Sequence, residues 1–290
     1  MVVVSFKGRM GNQMFCMALY RKLMNIGRDV YVDLACDRDS GQQQDIISEA
    51  KYNIDLFSCD YKVADPRIVS EMIQDGRNRN IWKRWEYRLF PSRCLYYEEQ
   101  VQGTYNPLIL QLDNVYLTGY WQTEKYFASI ADDIRRMYCF PDLYSDYQRK
   151  MLERIGNTNS VSVHVRRGDY LLHPEIYGTV SLEYYRKAMQ YIQERRENAF
   201  FYLFTDDKAW TRENFNGDNI TIIEESKDLI TGNLDMSLMA HCKDNIIANS
   251  SFSWWGAWLN ENSDKIVIAP EKWEKNKDMR DIWCDGWIKI

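Results

Sequence analysis

Two arginines close a run of alternating residues in SVSVHVRRGDY, Ser160 to Tyr170. Val161, Val163 and Val165 alternate with Ser160, Ser162 and His164, a period of two that predicts a β-strand. Arg166, Arg167, Gly168 and Asp169 follow at once. A guanidinium at a strand end can grip a diphosphate through two parallel N–H bonds. The same residues can instead form two structural ion pairs, with Asp169 an obvious acid for one of them. Strand parity separates the cations. While extended backbone persists, Ser162, His164 and Arg166 share one side, and Val163, Val165 and Arg167 the other. The pair is therefore expected to divide, Arg166 toward a ligand and Arg167 toward a structural acid such as Asp169.

Three more polar clusters suit the same chemistry. GRMGNQ, Gly8 to Gln13, lies between a strand and a helix. Its two glycines admit a ligand close to the backbone, and the helix start behind them offers N–H groups to an anion. It lacks the G-K-[ST] of a P-loop and the third glycine of a dinucleotide fingerprint, so it also reads as a plain tight turn. LFTDD, Leu203 to Asp207, ends a strand with two acids that can hold ribose hydroxyls, bind a metal or cap the next helix. Ser250, Ser251 and Ser253 stand at a helix start, as anion donors or as ordinary capping residues. Trp254, Trp255 and Trp258 follow at helical spacing and read as core. An arginine, a Gly-containing turn and a Ser-rich helix start at strand ends together suit a nucleotide diphosphate.

These residues need strands and helices to hold them. Val2–Phe6, a helix from Asn12 ended by Gly27, and DVYVDL form a β-loop-α-β unit. NVYLTGY is a further strand, and Glu124–Tyr138 and Leu143–Ile155 read as helices. After the candidate linker GNTNS, Gly156–Ser160, strands and helices alternate to the C-terminus. Such alternation predicts parallel sheets covered on both faces. The expected fold is α/β, with two Rossmann-like domains facing a cleft: residues 1–156 on the acceptor side and 157–290 holding the nucleotide. The segment Asp37–Pro107, charged and aromatic, is the expected seat of acceptor choice.

Composition narrows the function. The chain has 290 residues and a net charge of −5, which argues against a general nucleic-acid binder. Seven scattered cysteines without a C-x-x-C and only three histidines fit reduced thiols and argue against a zinc site. No apolar run approaches the roughly 20 residues of a membrane helix. A soluble, cytoplasmic chain is expected, with peripheral membrane association left open.

GRMGNQMF, HVRRGDY, FTDD and NIIANSSFSWWGAWL occur in this order from Gly8 to Leu259. Together they strongly resemble the α-1,2-fucosyltransferases of glycosyltransferase family 11. The resemblance implies a GT-B type fold, GDP-β-L-fucose as donor, inverting transfer to the 2-hydroxyl of a terminal galactose, and no bound metal. It implies that Arg166 holds the pyrophosphate, with His164 beside the nucleotide, Asp206 near the nucleoside and Asp235 on the guanine edge. Ser251, Phe252 and Ser253 match a loop that touches the phosphates. Gly8, Arg9, Gly11 and Asn12 match a loop closing over the donor. For the base that activates the acceptor hydroxyl, Asp169, His173 and Glu175 are the candidates, with Glu175 only loosely matched. Asp37–Asp39 is a D-x-D triplet of the metal-dependent GT-A kind, but it stands in the wrong block and reads as a solvated turn. A GT-B transferase using another nucleotide sugar and a non-catalytic glycan-binding protein are the competing readings.

Overall fold

The computed structural model describes residues 1–34, 53–57, 59–77, 96–171, 178–224, 229–275 and 277–290. The chain is α/β and divides into two compact units, Met1–Cys139 with Asp278–Ile282, and Phe140–Lys277 with Trp283–Ile290. Each unit has its own wholly parallel sheet. Two α/β units with parallel sheets are thus present, as the alternation of strands and helices predicts.

In the first unit, strands β1 (Val2–Ser5), β2 (Val30–Asp33), β3 (Tyr96–Glu98) and β4 (Val115–Thr118) are ordered β2-β1-β4-β3. Val2, Val3 and Val4 are wholly buried, as a central strand covered on both faces requires. Helix α1 (Met10–Asn25) follows β1 and packs against β1 and β2. Helix α2 (Pro66–Arg77) places Val69 and Met72 in a cluster with Val3 and Tyr116. Strand β3 is absent from the sequence reading. It is three residues long and stands at the sheet edge, too short to show a period. The segment read as one helix over Glu124–Tyr138 is two 3-10 turns followed by helix α3 (Ala131–Met137).

The second unit begins earlier than GNTNS. Helix α4 (Asp146–Gly156) opens with a capping box, Ser145 bonding Gln148 in both directions. Its Met151 and Ile155 pack with Tyr202, Phe204 and Met239 of this unit. Burial therefore assigns α4 to the second unit, and GNTNS is the turn between α4 and a strand rather than a linker between domains.

The strands of this unit are β5 (Asn159–Val165), β6 (Ala199–Thr205), β7 (Ile220–Ile222), β8 (Asp244–Ile246), β9 (Val267–Ala269) and β10 (Ile288–Lys289). Helices α5 (Leu182–Gln193), α6 (Lys208–Asn214), α7 (Leu229–His241) and α8 (Ser251–Leu259) alternate with them. Val161, Val163 and Val165 meet Tyr185, Ala188 and Ile192 of α5 on one face. The other face of β5 is polar but equally buried, because α7 covers it. There Asn245 donates to Ser162 Oγ at 2.7 Å and to the Met239 carbonyl at 2.8 Å. Asn260 closes the network by donating to Asn245 Oδ1 at 2.8 Å. A fully satisfied network of this kind fixes one arrangement of the core. Trp254, Trp255 and Trp258 are core, as the helical spacing predicts.

The strand order is β10-β9-β8-β5-β6-β7. Numbered within the unit this is the Rossmann order, and it reverses between β5 and β8. Ligands of open α/β sheets bind at the carboxyl ends of the strands beside such a reversal. No helix among the described residues is long and apolar enough to cross a membrane.

Candidate active site

The two strands at the reversal deliver the two most specific sequence blocks to one edge. β5 ends at Val165 and runs into Arg166 and Arg167. β8 ends at Ile246 and runs through Ala248, Asn249 and Ser250 into α8.

Register explains what the arginines meet. β5 and β6 pair in parallel, with Val165 opposite Thr205 at their ends. One further step sets Arg166 against Asp206, and Arg166 Nη1 lies 2.9 Å from Asp206 Oδ2. The next sets Arg167 against Asp207, and Arg167 Nε donates to Asp207 Oδ2 at 3.1 Å. The Arg167 guanidinium also lies 4.0 Å from the centre of the Trp210 ring, within cation–π range. Each cation therefore meets an acid of its own, Asp206 for Arg166 and Asp207 for Arg167; the side chain of Asp169, the acid expected on Arg167, lies outside the described residues. Asp169 is a sequence neighbour; Asp207 is the residue that the sheet brings opposite.

Asp206 is tied at both oxygens. Its Oδ1 accepts from the Arg167 backbone N–H at 2.9 Å while Oδ2 faces Arg166. Gly168 lies close beside it: a Cβ there would stand 2.8 Å from Asp206 Oδ2 and force that carboxylate to shift. The expectation that Asp206 lies near the nucleoside is thus joined by a definite contact, the Arg166 guanidinium. Asp207 also caps α6 by accepting from the Trp210 N–H at 3.1 Å, the role that capping statistics favour for this position.

Across the reversal, Ser250 occupies the N-cap position of α8, yet its hydroxyl makes no cap bond. Helices α4, α5 and α6 are capped by Ser145, Ser181 and Asp207. The start of α8 thus keeps its N–H groups uncovered by its own capping side chain, which suits an anion. Ser251 and Phe252 are half-buried at this start. Ser253 is 1% exposed and turned inward, with its Oγ 2.8 Å from His164 Nδ1 and donating to the Ser250 carbonyl at 3.3 Å. Through this contact Ser253 holds the histidine ring. Two residues missed in the sequence complete the frame. Tyr170 donates to the Asn249 carbonyl at 2.9 Å, and Tyr184 bonds the carbonyls of Ile247 and Ile268 at 2.7 and 3.1 Å.

His164 is neutral here. Burial, then the nearby Arg166 charge, pull its pKa from the usual 6.5 to about 3, with Asp206 opposing. The unfolded chain therefore binds a proton that the folded chain refuses between those two values. Stability falls as pH drops through that window, by about 2 kcal/mol from this residue near pH 5. In acid unfolding followed by circular dichroism, His164→Asn is expected to flatten the limb between pH 6.5 and 4. An unchanged limb would contradict a buried neutral imidazole.

Asp235, in α7, accepts from Gln148 Nε2 at 3.2 Å. α7 runs directly into the start of β8, so its first turns lie toward the carboxyl edge of the sheet. His173 and Glu175 lie outside the described residues, as do Asp37–Asp39 and about half of Asp37–Pro107.

The first unit carries the remaining expected residues. Gly8 has φ +68°, and a Cβ there would come within 2.6 Å of Asn12 Nδ2, so glycine is demanded twice. Its carbonyl accepts from Gln13 Nε2 at 2.8 Å, and Gln13 Oε1 accepts from the Ile54 N–H at 3.3 Å. Asn12 Oδ1 accepts from Gln122 Nε2 at 2.8 Å. Arg9, exposed, is the N-cap of α1 and makes no side-chain cap bond, while Gly11 is buried in the first turn. The loop is a braced turn at the carboxyl end of β1, with a helix start behind it.

A model of the family described as Glycosyl transferase family 11 matches residues 1–290. The chain belongs to glycosyltransferase family 11. The O-antigen biosynthesis glycosyltransferase WbnK of Escherichia coli is 30% identical to it, over 98% of each chain. An α-1,2-colitosyltransferase of Escherichia coli is 36% identical over 187 residues, 61% of this chain and 63% of that one. Galactoside α-(1,2)-fucosyltransferase 2 of Hylobates lar is 24% identical, over 90% of this chain and 69% of that one. In this family 11 transferase, the blocks HVRRGDY, FTDD and NSSFSWW therefore form one edge of the second sheet, bound together by register and by the His164–Ser253 contact.

Proposed function

We propose that this transferase moves L-fucose from GDP-β-L-fucose, with inversion, to the 2-hydroxyl of a terminal galactose. The observation that carries the reading is Arg166, held by Asp206 at the strand reversal, on the edge that also carries the uncapped start of α8. The α-1,2 linkage in the names of two relatives supports the regiochemistry.

Departing GDP gains negative charge as the glycosidic bond breaks. A guanidinium already fixed in place, and N–H groups at a helix start, stabilise that charge without reorganising. His164, neutral, adds no competing charge there and can give or accept one hydrogen bond through its second nitrogen. Asp235 offers two acceptor oxygens, the complement of the adjacent N–H donors on guanine. Gly8, Arg9, Gly11 and Asn12 are further donor-binding residues in this reading. The acceptor hydroxyl loses its proton to Glu175 or Asp169, carboxylates just beyond the arginines. In this scheme Arg166 and the helix start do the work of a metal ion.

A second reading concerns the sugar alone. The colitosyltransferase is more identical over its matched part than the galactoside fucosyltransferase. Colitose is fucose without its 3-hydroxyl, and the diphosphate grip serves both. A donor panel with galactoside acceptors separates them. The proposal expects turnover of GDP-fucose exceeding that of GDP-colitose by at least about tenfold, unchanged by EDTA. Faster turnover of GDP-colitose would reassign the sugar. Loss of turnover in chelator, restored by a divalent ion, would overturn the scheme.

A further inference from the structure

We infer that Gln148 is a positioning residue that sets base selectivity through Asp235, an inference that rests on the proposed contact of Asp235 with guanine. Gln148 stands at the third position of α4 and is 1% exposed. Its amide serves two elements. Oε1 accepts from the Ser145 N–H at 3.2 Å, closing the capping box. That bond fixes which end of the amide is oxygen, so the nitrogen must face the other way. On that side Nε2 donates to Asp235 Oδ1 at 3.2 Å. The cap of one helix thereby fixes the plane of a carboxylate on another.

The plane matters for a nucleobase. Guanine presents N1–H and its 2-amino group side by side, and a carboxylate meets both only when coplanar with the ring. Hypoxanthine lacks the 2-amino group and forms one bond to the same carboxylate. Preference for GDP over IDP therefore reads the orientation of Asp235, whereas loss of folded protein lowers both affinities alike. A capping box accepts Glu as readily as Gln. Gln148→Glu keeps the helix cap but replaces the donor facing Asp235 with a like charge.

The test is calorimetric titration of GDP and of IDP into the full chain, its Gln148→Glu and Gln148→Met variants, and a Ser145→Ala control. The chain itself is expected to prefer GDP by about tenfold, the worth of one bond to a charged group. Gln148→Glu and Gln148→Met should each reduce that preference to threefold or less, while Ser145→Ala keeps it and only unfolds at lower temperature. Gln148→Met removes the donor without burying a charge, so it decides the matter if Gln148→Glu does not fold. A tenfold preference retained in the Gln148 variants would overturn the positioning role. Equal affinity for GDP and IDP in the unsubstituted chain would instead overturn the contact of Asp235 with guanine on which it rests.

Discussion

Arg166→Lys is expected to lower kcat/KM for GDP-fucose by about 10²- to 10³-fold while the melting temperature moves by less than about 2 °C. The two halves of this result have separate causes. Lysine keeps a positive charge opposite Asp206, so the ion pair at the end of β5 and β6 survives. It loses the planar fork that meets two phosphate oxygens at once. Arg167→Lys should do the reverse. It gives up the stack over Trp210 and the directed bond to Asp207, and stability falls by about 1–2 kcal/mol. Its turnover should stay within about threefold, because the contact of residue 167 with Asp206 runs through the backbone N–H, which lysine retains. Steady-state kinetics beside thermal unfolding checks both. Equal losses of GDP affinity in the two variants, at equal stability, would remove the division of labour between the arginines.

The largest stability effect is expected at the opposite edge of the same sheet. Arg196 holds Asp244 with two bonds, Nε to Oδ2 at 2.9 Å and Nη2 to Oδ1 at 3.1 Å, and pairs with Asp264 at 2.7 Å. Asp244 is 1% exposed at the start of β8 and also accepts from the Ile266 N–H at 2.6 Å. These carboxylates raise the Arg196 pKa further above its ordinary value, chiefly through the Asp244 bond, so the cation persists at any pH of interest. Removing it leaves a buried carboxylate without its counter-charge. Arg196→Ala should cost about 3 kcal/mol, the lower end for a broken buried pair because the arginine keeps some solvent contact. That corresponds to a melting temperature roughly 6–12 °C lower. Arg196→Met combined with Asp244→Leu should cost less than Arg196→Ala alone, since no orphaned charge remains. A loss below about 1 kcal/mol in the single variant would mean that the pair behaves as a surface contact.

How far the sequence carried the fold depends on where the physical signal is local. Six valines in VVVS and SVSVHV announce central strands, and their burial follows. The tryptophans after Ser253 announce a core helix by spacing alone. The domain boundary was not legible, because nothing in the composition of α4 says which sheet covers Met151 and Ile155. Packing decides that. β3 and β10 were missed because two or three residues carry no period.

The site follows the same rule. HVRR and FTDD were each visible as strand ends, but their pairing needs the register of β5 on β6 across about 40 residues of chain, and that made Asp169 look the nearer acid. Both blocks end strands at the same distance from an apolar run, so aligning those ends would have suggested Asp206 and Asp207. Ser253 reads as one more hydroxyl of a phosphate loop until its buried contact with His164 is seen. Gln148 goes unmarked in the sequence, since its partner Asp235 lies on a helix far along the chain.

The central claim is most directly tested by incubating the chain with GDP-fucose and terminal galactosides, then determining the linkage of the product by nuclear magnetic resonance. The account predicts an α-anomeric fucose on the galactose 2-hydroxyl, formed by the unsubstituted chain and about 10²-fold more slowly, or not at all, by Arg166→Lys. A β-linked product, a bond to any other galactose hydroxyl, or full activity in Arg166→Lys would contradict it.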